Sequence, residues 1–300
     1  MTDELHGSGG AVEPTHGPGP TTRRRQLGFG LLALRRATGL SAEEAGKRAG
    51  VSKATVSRYE TGTGNVRWNQ VDQLCRVYGA TDEEREALVE LAKTSKVTDG
   101  WWVPVASSLP SALSMLIALE NEAARLSQFT ASVVPGLLQT SRYARAIKAT
   151  PGYDLPPARV ETFLDTRMRR QALLDQQHSP QYRVVLDEAV LRRNVGGPEV
   201  MAEQLDFLLE RGTSPGISLQ ILPFDKGAHS AALTGFMIIG AQDPSFDVIY
   251  TETVSGSLFL ERQEERKDYS ASFDYLSSEA LSTLPSAEMI AEARKKHLKV

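Results

Sequence analysis

The chain has one cysteine, Cys75, in 300 residues. That excludes an internal disulfide framework and fits a reducing compartment. Cys75 itself reads as a small buried hydrophobe in a helix. Long apolar runs are also missing. The stretch at 236–239 is typical of the longest, and a membrane span requires roughly 20 apolar residues. No apolar stretch stands behind the first charges, so no secretory signal is expected, and the expected location is the cytoplasm, at the nucleoid. Catalytic and cofactor signatures are missing as well: there is no Walker loop, no His-Glu-x-x-His, no cysteine pair and no Gly-x-Ser-x-Gly, and Gly62-Thr-Gly64 follows no strand pattern. His178, His229 and His297 are too widely spaced to read as a ligand set. The acids Asp187 and Glu188 read as a helix start, where their charge complements the dipole. No catalytic residue, metal, cofactor or enzymatic activity is therefore expected.

What is present is uneven in charge. Residues 23–76 hold eleven Lys/Arg against four acids, a net +7, which leaves −10 for the rest of a chain whose total is −3. A compact basic segment on an otherwise acidic chain is the footprint of a nucleic-acid-binding module. Length allows two domains, and 41 % apolar with 24 % charged residues is ordinary for a globular protein.

The first 22 residues are rich in glycine and proline and are expected to be a disordered tail. It ends in Arg23–Arg25, which reads either as an arm reaching DNA phosphates or as a solvated helix start. Five helices are expected over 23–96. Leu27, Leu31 and Leu34 recur at helical spacing, and Gly39 ends the first helix. Ser41-Ala-Glu-Glu44 is a capping box for the second, which ends at Gly50. Ser52 caps a third, a fourth carries Val71, Leu74, Cys75 and Tyr78, and Thr81-Asp-Glu-Glu84 opens a fifth. A linker is expected at 97–110, around Trp101-Trp102-Val103-Pro104. The second domain, 111–298, alternates helical segments (near 111–128, 139–149, 157–175, 187–194, 198–211, 261–281 and 286–297) with strand-like ones at 182–186, 217–222, 234–239 and 247–252. The expected fold is α+β overall, an all-α five-helix domain followed by an α+β domain with a small sheet and several helices.

The second and third helices form a helix-turn-helix pattern. Two helices crossing steeply need a small residue at the crossing, which Gly46 supplies, and the tight turn needs positive φ, which Gly50 supplies. Val51 and Val56 face inward and Tyr59 covers the edge. Ser52, Lys53, Ala54, Thr55, Ser57 and Arg58 are left facing out, with Arg67 beside them. A major groove accepts such a helix N-terminal end first. Arg58 suits guanine, Lys53 guanine or phosphate, the Thr55 methyl thymine, and Ser52 a phosphate oxygen. The stretch GLSAEEAGKRAGVSKATVSRYETG at 39–62 resembles the lambda-repressor-like (XRE) helix-turn-helix family. The resemblance implies a double-stranded DNA reader, with Ser52–Arg58 on or beside the recognition surface and an ion pair between Arg35 and Glu60. The family usually has leucine-alanine at Ala45-Gly46, which implies looser packing of the second helix, and glutamine at Ala42, which removes one contact to DNA.

Four segments beyond residue 105 are unusual for simple packing: 134–145, 167–171, 187–193 and 222–229. In that order they resemble the C-terminal domain of unknown function that follows an XRE domain in many actinobacterial regulators. The resemblance implies a regulator connected with development or antibiotic production and often encoded beside a small protein partner. In some such pairs the helix-turn-helix protein is antitoxin-like and represses its own operon. Candidate ligand or partner residues are Glu120, Gln139, Tyr143, Arg167, Arg170, Gln171, Glu188 and His229, for each of which a structural polar contact is the weightier reading. The basic stripe at 167–171 is alternatively matched to the carboxylates Glu188 and Glu252. A homodimer is expected, because one recognition helix contacts few base pairs. The different-class alternative is a hydrolase tethered to DNA.

Overall fold

The computed structural model describes residues 20–62, 66–95, 109–150, 156–231, 234–241, 244–253 and 256–299. The expected tail up to residue 19, His6 and His16, and the linker at Trp101–Pro104 lie outside these residues. The first domain is built from α1 (Pro20–Ala37), α2 (Ala42–Arg48), α3 (Lys53–Glu60), α4 (Trp68–Val77) and α5 (Asp82–Thr94). Both capping boxes form. Ser41 accepts from the Glu44 amide while Glu44 accepts from the Ser41 amide, and Thr81 and Glu84 do the same for α5. Leu27, Leu31, Val56, Val71, Leu74 and Cys75 make a fully buried core, joined by Tyr59 and Leu88.

Two glycines bring these helices into backbone contact. At Gly28 a Cβ would lie 2.6 Å from the Glu60 carbonyl oxygen and 2.8 Å from that of Tyr59, so α1 rests directly on the end of α3. At Gly46 a Cβ would lie 2.7 Å from the Val51 carbonyl oxygen. The expectation of a loosely packed α2 is therefore corrected. The Ala45-Gly46 pair seats α2 by bringing its backbone closer to the turn, and Ala45 is fully buried.

The second domain runs α6 (Ser111–Glu122), β1 (Arg125–Thr130), α7 (Ser141–Lys148), α8 (Pro157–Gln171), β2 (Gln181–Asp187), α9 (Glu188–Arg192), α10 (Pro198–Arg211), β3 (Ile217–Leu222), β4 (Phe236–Gly240), β5 (Val248–Thr253), β6 (Gly256–Leu260), α11 (Gln263–Glu279) and α12 (Thr283–His297). The strands form one six-stranded mixed sheet in the order β3-β2-β1-β4-β5-β6. β1, β2 and β3 are parallel, and β4, β5 and β6 extend the sheet from β1 with antiparallel pairings. One face, carrying Leu126, Tyr182, Val184, Leu186 and Ile221, packs against residues of α7, α10 and α12. The other, carrying Phe129, Val185, Phe236 and Ile249, is covered by Phe273 and Leu276 of α11. The domain is thus a mixed α/β layer structure with two strands more than the sequence pattern indicates. The helix expected at 111–128 stops at Glu122, and the polar segment that follows it is the central strand.

Replacing Gly28 by alanine should destabilise the first domain by about 1–3 kcal/mol, since the Cβ meets backbone oxygens that cannot rotate away. A fall in the urea midpoint at unchanged slope is the expected result.

Candidate nucleic-acid interface

The turn between α2 and α3 is made by Gly50, at φ +66°, and by Ser52, whose Oγ accepts from the Thr55 amide at 3.1 Å. From there α3 buries Val56 completely and Tyr59 almost so, while Ser52, Lys53, Ala54, Ser57 and Arg58 are exposed and Thr55 is half-buried. The outward face is held in order by small polar contacts. The Ser52 and Thr55 hydroxyls stand 2.9 Å apart, and Arg58 Nη2 donates to Thr55 Oγ1 at 3.3 Å. Lys53 Nζ lies 3.9 Å from Glu43, with both side chains mostly in solvent. Such a pair contributes little and is readily exchanged for a phosphate. Arg67 is exposed ahead of α4.

Behind this face the anchors are strong. Arg35 on α1 donates from Nε to Glu60 Oε1 at 2.6 Å and from Nη2 to Oε2 at 2.9 Å, and its Nη1 reaches the Leu40 carbonyl at 2.7 Å. The implied ion pair is present as a bidentate fork, and the hydrogen bond to Glu60 raises the Arg35 pKa. Tyr59 donates its hydroxyl proton to Gln70 Oε1 and accepts from the Arg67 amide, which ties the end of α3 to the start of α4. Gly28 and Gln70 are the supporting residues that sequence reading missed. Gln70 carries no local signal, and Gly28 sits between Leu27 and Leu31 as an interruption of the helical pattern.

Arg23, Arg24 and Arg25 stand in the first turns of α1 and make contacts within the protein, Arg23 and Arg24 half-buried and Arg25 buried. Arg23 Nη1 and Arg24 Nε donate to the carbonyls of Thr94 and Ser95 at 3.0 and 2.8 Å, closing the C-terminal end of α5. Arg25, only 5 % exposed, pairs with Glu261 of the second domain at 2.9 Å. The free carbonyls at the end of a helix attract cations, and here Arg23 and Arg24 meet them.

The eight candidate residues of the second domain separate into two groups. Glu120 and Arg170 form a buried bidentate pair at 2.6 and 3.0 Å. Arg167 donates to Gln139, Gln139 donates to the Val134 carbonyl, and Gln171 donates to the carbonyls of Gly136 and Gln139. Tyr143, fully buried, accepts from the Val134 amide. Glu188 and His229 lie elsewhere, at the carboxyl end of β2. Glu188 bonds Arg192 at 2.6 Å and the Phe224 amide at 3.1 Å, and His229 Nε2 stands 3.7 Å from Asp187. The match of the 167–171 stripe to Glu188 is thus corrected, because Arg170 is already taken by Glu120 and Glu188 by Arg192. Cys75 is buried and its thiol is pushed up to about 11 by that burial. Among the described residues no cluster of three or more metal-ligating side chains occurs, and no helix is long and apolar enough to cross a membrane.

Two family models match the chain. Residues 26–88 match a helix-turn-helix domain, and residues 113–292 match the Domain of unknown function (DUF5753). No curated protein and no solved structure matches.

Truncating Glu60 to alanine should cost about 3–5 kcal/mol by stranding Arg35, and the Arg35→Ala, Glu60→Ala double mutant should cost less than the two singles combined. Chemical denaturation of all four proteins tests this coupling. The capping box makes a separate prediction. Bonds from the Ser41 backbone and side chain hold the Glu44 carboxyl below its ordinary 4.5. Its contribution is therefore present above that value and lost as pH falls through the lowered one. The protection of the Ser41 amide, its exchange rate relative to that of an unstructured amide at the same pH, should fall on acidification in the wild type and not in Glu44→Gln.

Proposed function

The chain belongs to the DUF5753 family and carries a helix-turn-helix domain ahead of the family domain, and from that premise we propose that it is a sequence-specific transcriptional regulator acting on double-stranded DNA. The observation that carries the reading is the outward face of α3. Lys53, Ala54, Ser57 and Arg58 are exposed in consecutive turns, and the opposite side of the same helix is clamped by Val56, Tyr59 and the Arg35–Glu60 fork. A recognition helix must present its side chains without itself moving, and these contacts supply that rigidity. Arg58 reads guanine, Lys53 bonds guanine or phosphate, the Thr55 methyl meets thymine, and Ser52 with the start of α3 positions a phosphate. Arg67 adds a backbone contact. The net +7 over residues 23–76 supports this reading, though less directly than its total suggests, because Arg23–Arg25 are engaged within the protein.

The protein acts by binding rather than by catalysis in this reading, and the acidic second domain is the part on which a small molecule or protein partner acts. It binds as a homodimer, since two half-sites are needed for high affinity.

Arg58→Ala should weaken binding to the selected operator at least tenfold, with a smaller effect on random DNA, consistent with about 1–3 kcal/mol for one base contact. Lys53→Ala should weaken both equally and lower the slope of log affinity against log salt by about one. Fluorescence anisotropy on a site obtained by selection from random duplexes measures all four quantities. Equal losses on both DNAs for Arg58→Ala would reduce that residue to a phosphate contact, and the absence of any selected site would refute sequence-specific binding.

A further inference from the structure

The start of α1 meets the end of α3 and the second domain at the same residue. Gly62 follows α3 by two residues, is buried, and turns the chain at φ +67°. Its amide donates to the Tyr59 carbonyl at 3.2 Å, which closes the last turn of the helix. A Cβ at this position would lie 3.3 Å from the Arg24 carbonyl oxygen and 3.3 Å from Cγ of Arg25. The aliphatic stem of Arg25 therefore packs on the turn that ends α3.

The head of the same side chain leaves the first domain. Nε and Nη2 both face Oε1 of Glu261, at 3.0 and 2.9 Å, and only 5 % of the arginine side chain is exposed. Glu261 directly follows β6 and stands two residues ahead of α11. Its carbonyl accepts from Arg266 Nη1 of α11, which fixes that corner. Neighbouring contacts run the same way. Arg24 Nε bonds the Ser95 carbonyl at 2.8 Å. Burial lowers the Arg24 pKa, and the charge of Glu122 at the end of α6 opposes that shift. α1 also lies beside α6 and the turn at Pro244–Phe246. Cations of the basic segment thus meet acids of the second domain.

A buried arginine is a costly way to fill space against Gly62, where an apolar chain of the same length would pack as well. What the guanidinium adds is direction. It has its counter-charge only when Glu261, 236 residues away in sequence, stands in one place. We propose that Arg25 is a positioning residue for DNA reading. Its stem holds the C-terminal turn of α3, its head holds Glu261, and the second domain thereby sets the posture in which α3 meets DNA. This role rests on α3 being the reading helix, and it supplies the route by which the second domain regulates it. A change at the corner between β6 and α11 reaches α3 through one side chain.

Glu261→Ala in the full chain is the decisive variant, because two effects there have opposite signs. Removing an acid by itself favours a polyanion, so a purely electrostatic role would tighten binding to every duplex. Loss of positioning should instead weaken binding to the selected operator about fivefold, with random DNA affected less. Fluorescence anisotropy on both duplexes reads the difference. Arg25→Met keeps a stem against Gly62 and removes the head, and should weaken operator binding to a similar extent. The double variant should bind the operator no more weakly than Arg25→Met alone, since both changes act on one contact. Without DNA, hydrogen exchange over residues 59–62 should rise in Glu261→Ala. Unchanged or tighter operator binding in Glu261→Ala would overturn the proposal. So would additive losses in the double variant, or unchanged exchange at the end of α3. If Arg25→Met does not fold, Glu261→Ala still decides, because that residue lies in the second domain with 32 % of its side chain exposed. Failure to select any operator would refute the regulator reading instead, and the exchange comparison would still judge the contact.

Discussion

The backbone approach of α1 to the end of α3 at Gly28 sets the geometry of the DNA-facing side. A Cβ there would sit 2.6 Å from the Glu60 carbonyl oxygen, so the two helices cross as closely as their main chains allow. About two turns further along, Arg35 reaches the Glu60 carboxylate from the same helix. The fork and the close crossing act on the same residue of α3, one through its side chain and one through its backbone. Together they fix both the height and the rotation of the helix that presents Lys53–Arg58. Towards its other end α1 gives Arg25 to Glu261, so the element that positions the reader also touches the second domain.

The second domain treats charge differently on its two sides. Its sheet is centred on β1, which accepts a parallel neighbour, β2, and an antiparallel one, β4. Beside it the Glu120–Arg170 pair is almost wholly out of solvent, with 1 % and 8 % of the side chains exposed. Such a pair is tolerable because each hydrogen-bonding edge has its partner, and breaking it would strand a charge in a medium that cannot solvate it. Arg167, one turn away, donates to Gln139 instead. At the carboxyl end of β2, by contrast, Asp187 caps the Ala189 amide at 2.8 Å, as the helix-start reading of these acids requires.

Much of the first domain was legible in the chain because its signals are local. Ser41 and Glu44, Thr81 and Glu84, Gly50 and the Leu27–Leu31 spacing each act within a few residues, and each forms as read. In the second domain the helix expected at 111–128 runs into the segment Arg125–Thr130, because Leu126 and Phe129 stand three apart and no glycine or proline separates them from the helical run before. Its identity as the central strand comes from hydrogen bonds to β2 and β4, more than fifty and a hundred residues away in sequence. β6, an edge strand half exposed to solvent, likewise shows no strong apolar pattern.

By itself the sequence determined the helix boundaries of the reader, its turn, its charge and the outward residues of α3, since caps, turns and helical periodicity are set by residues in immediate succession. Only the tertiary structure decided where long-range partners fall. It drew Arg23–Arg25 into helix-end and interdomain contacts, placed Gly28 against the Glu60 carbonyl, joined Glu120 to Arg170, and parted Glu188 and His229 from Arg167. The physical reason is the same in each case. A side chain's choice among acceptors depends on which of them folding brings within about 3 Å, and no local pattern records that distance.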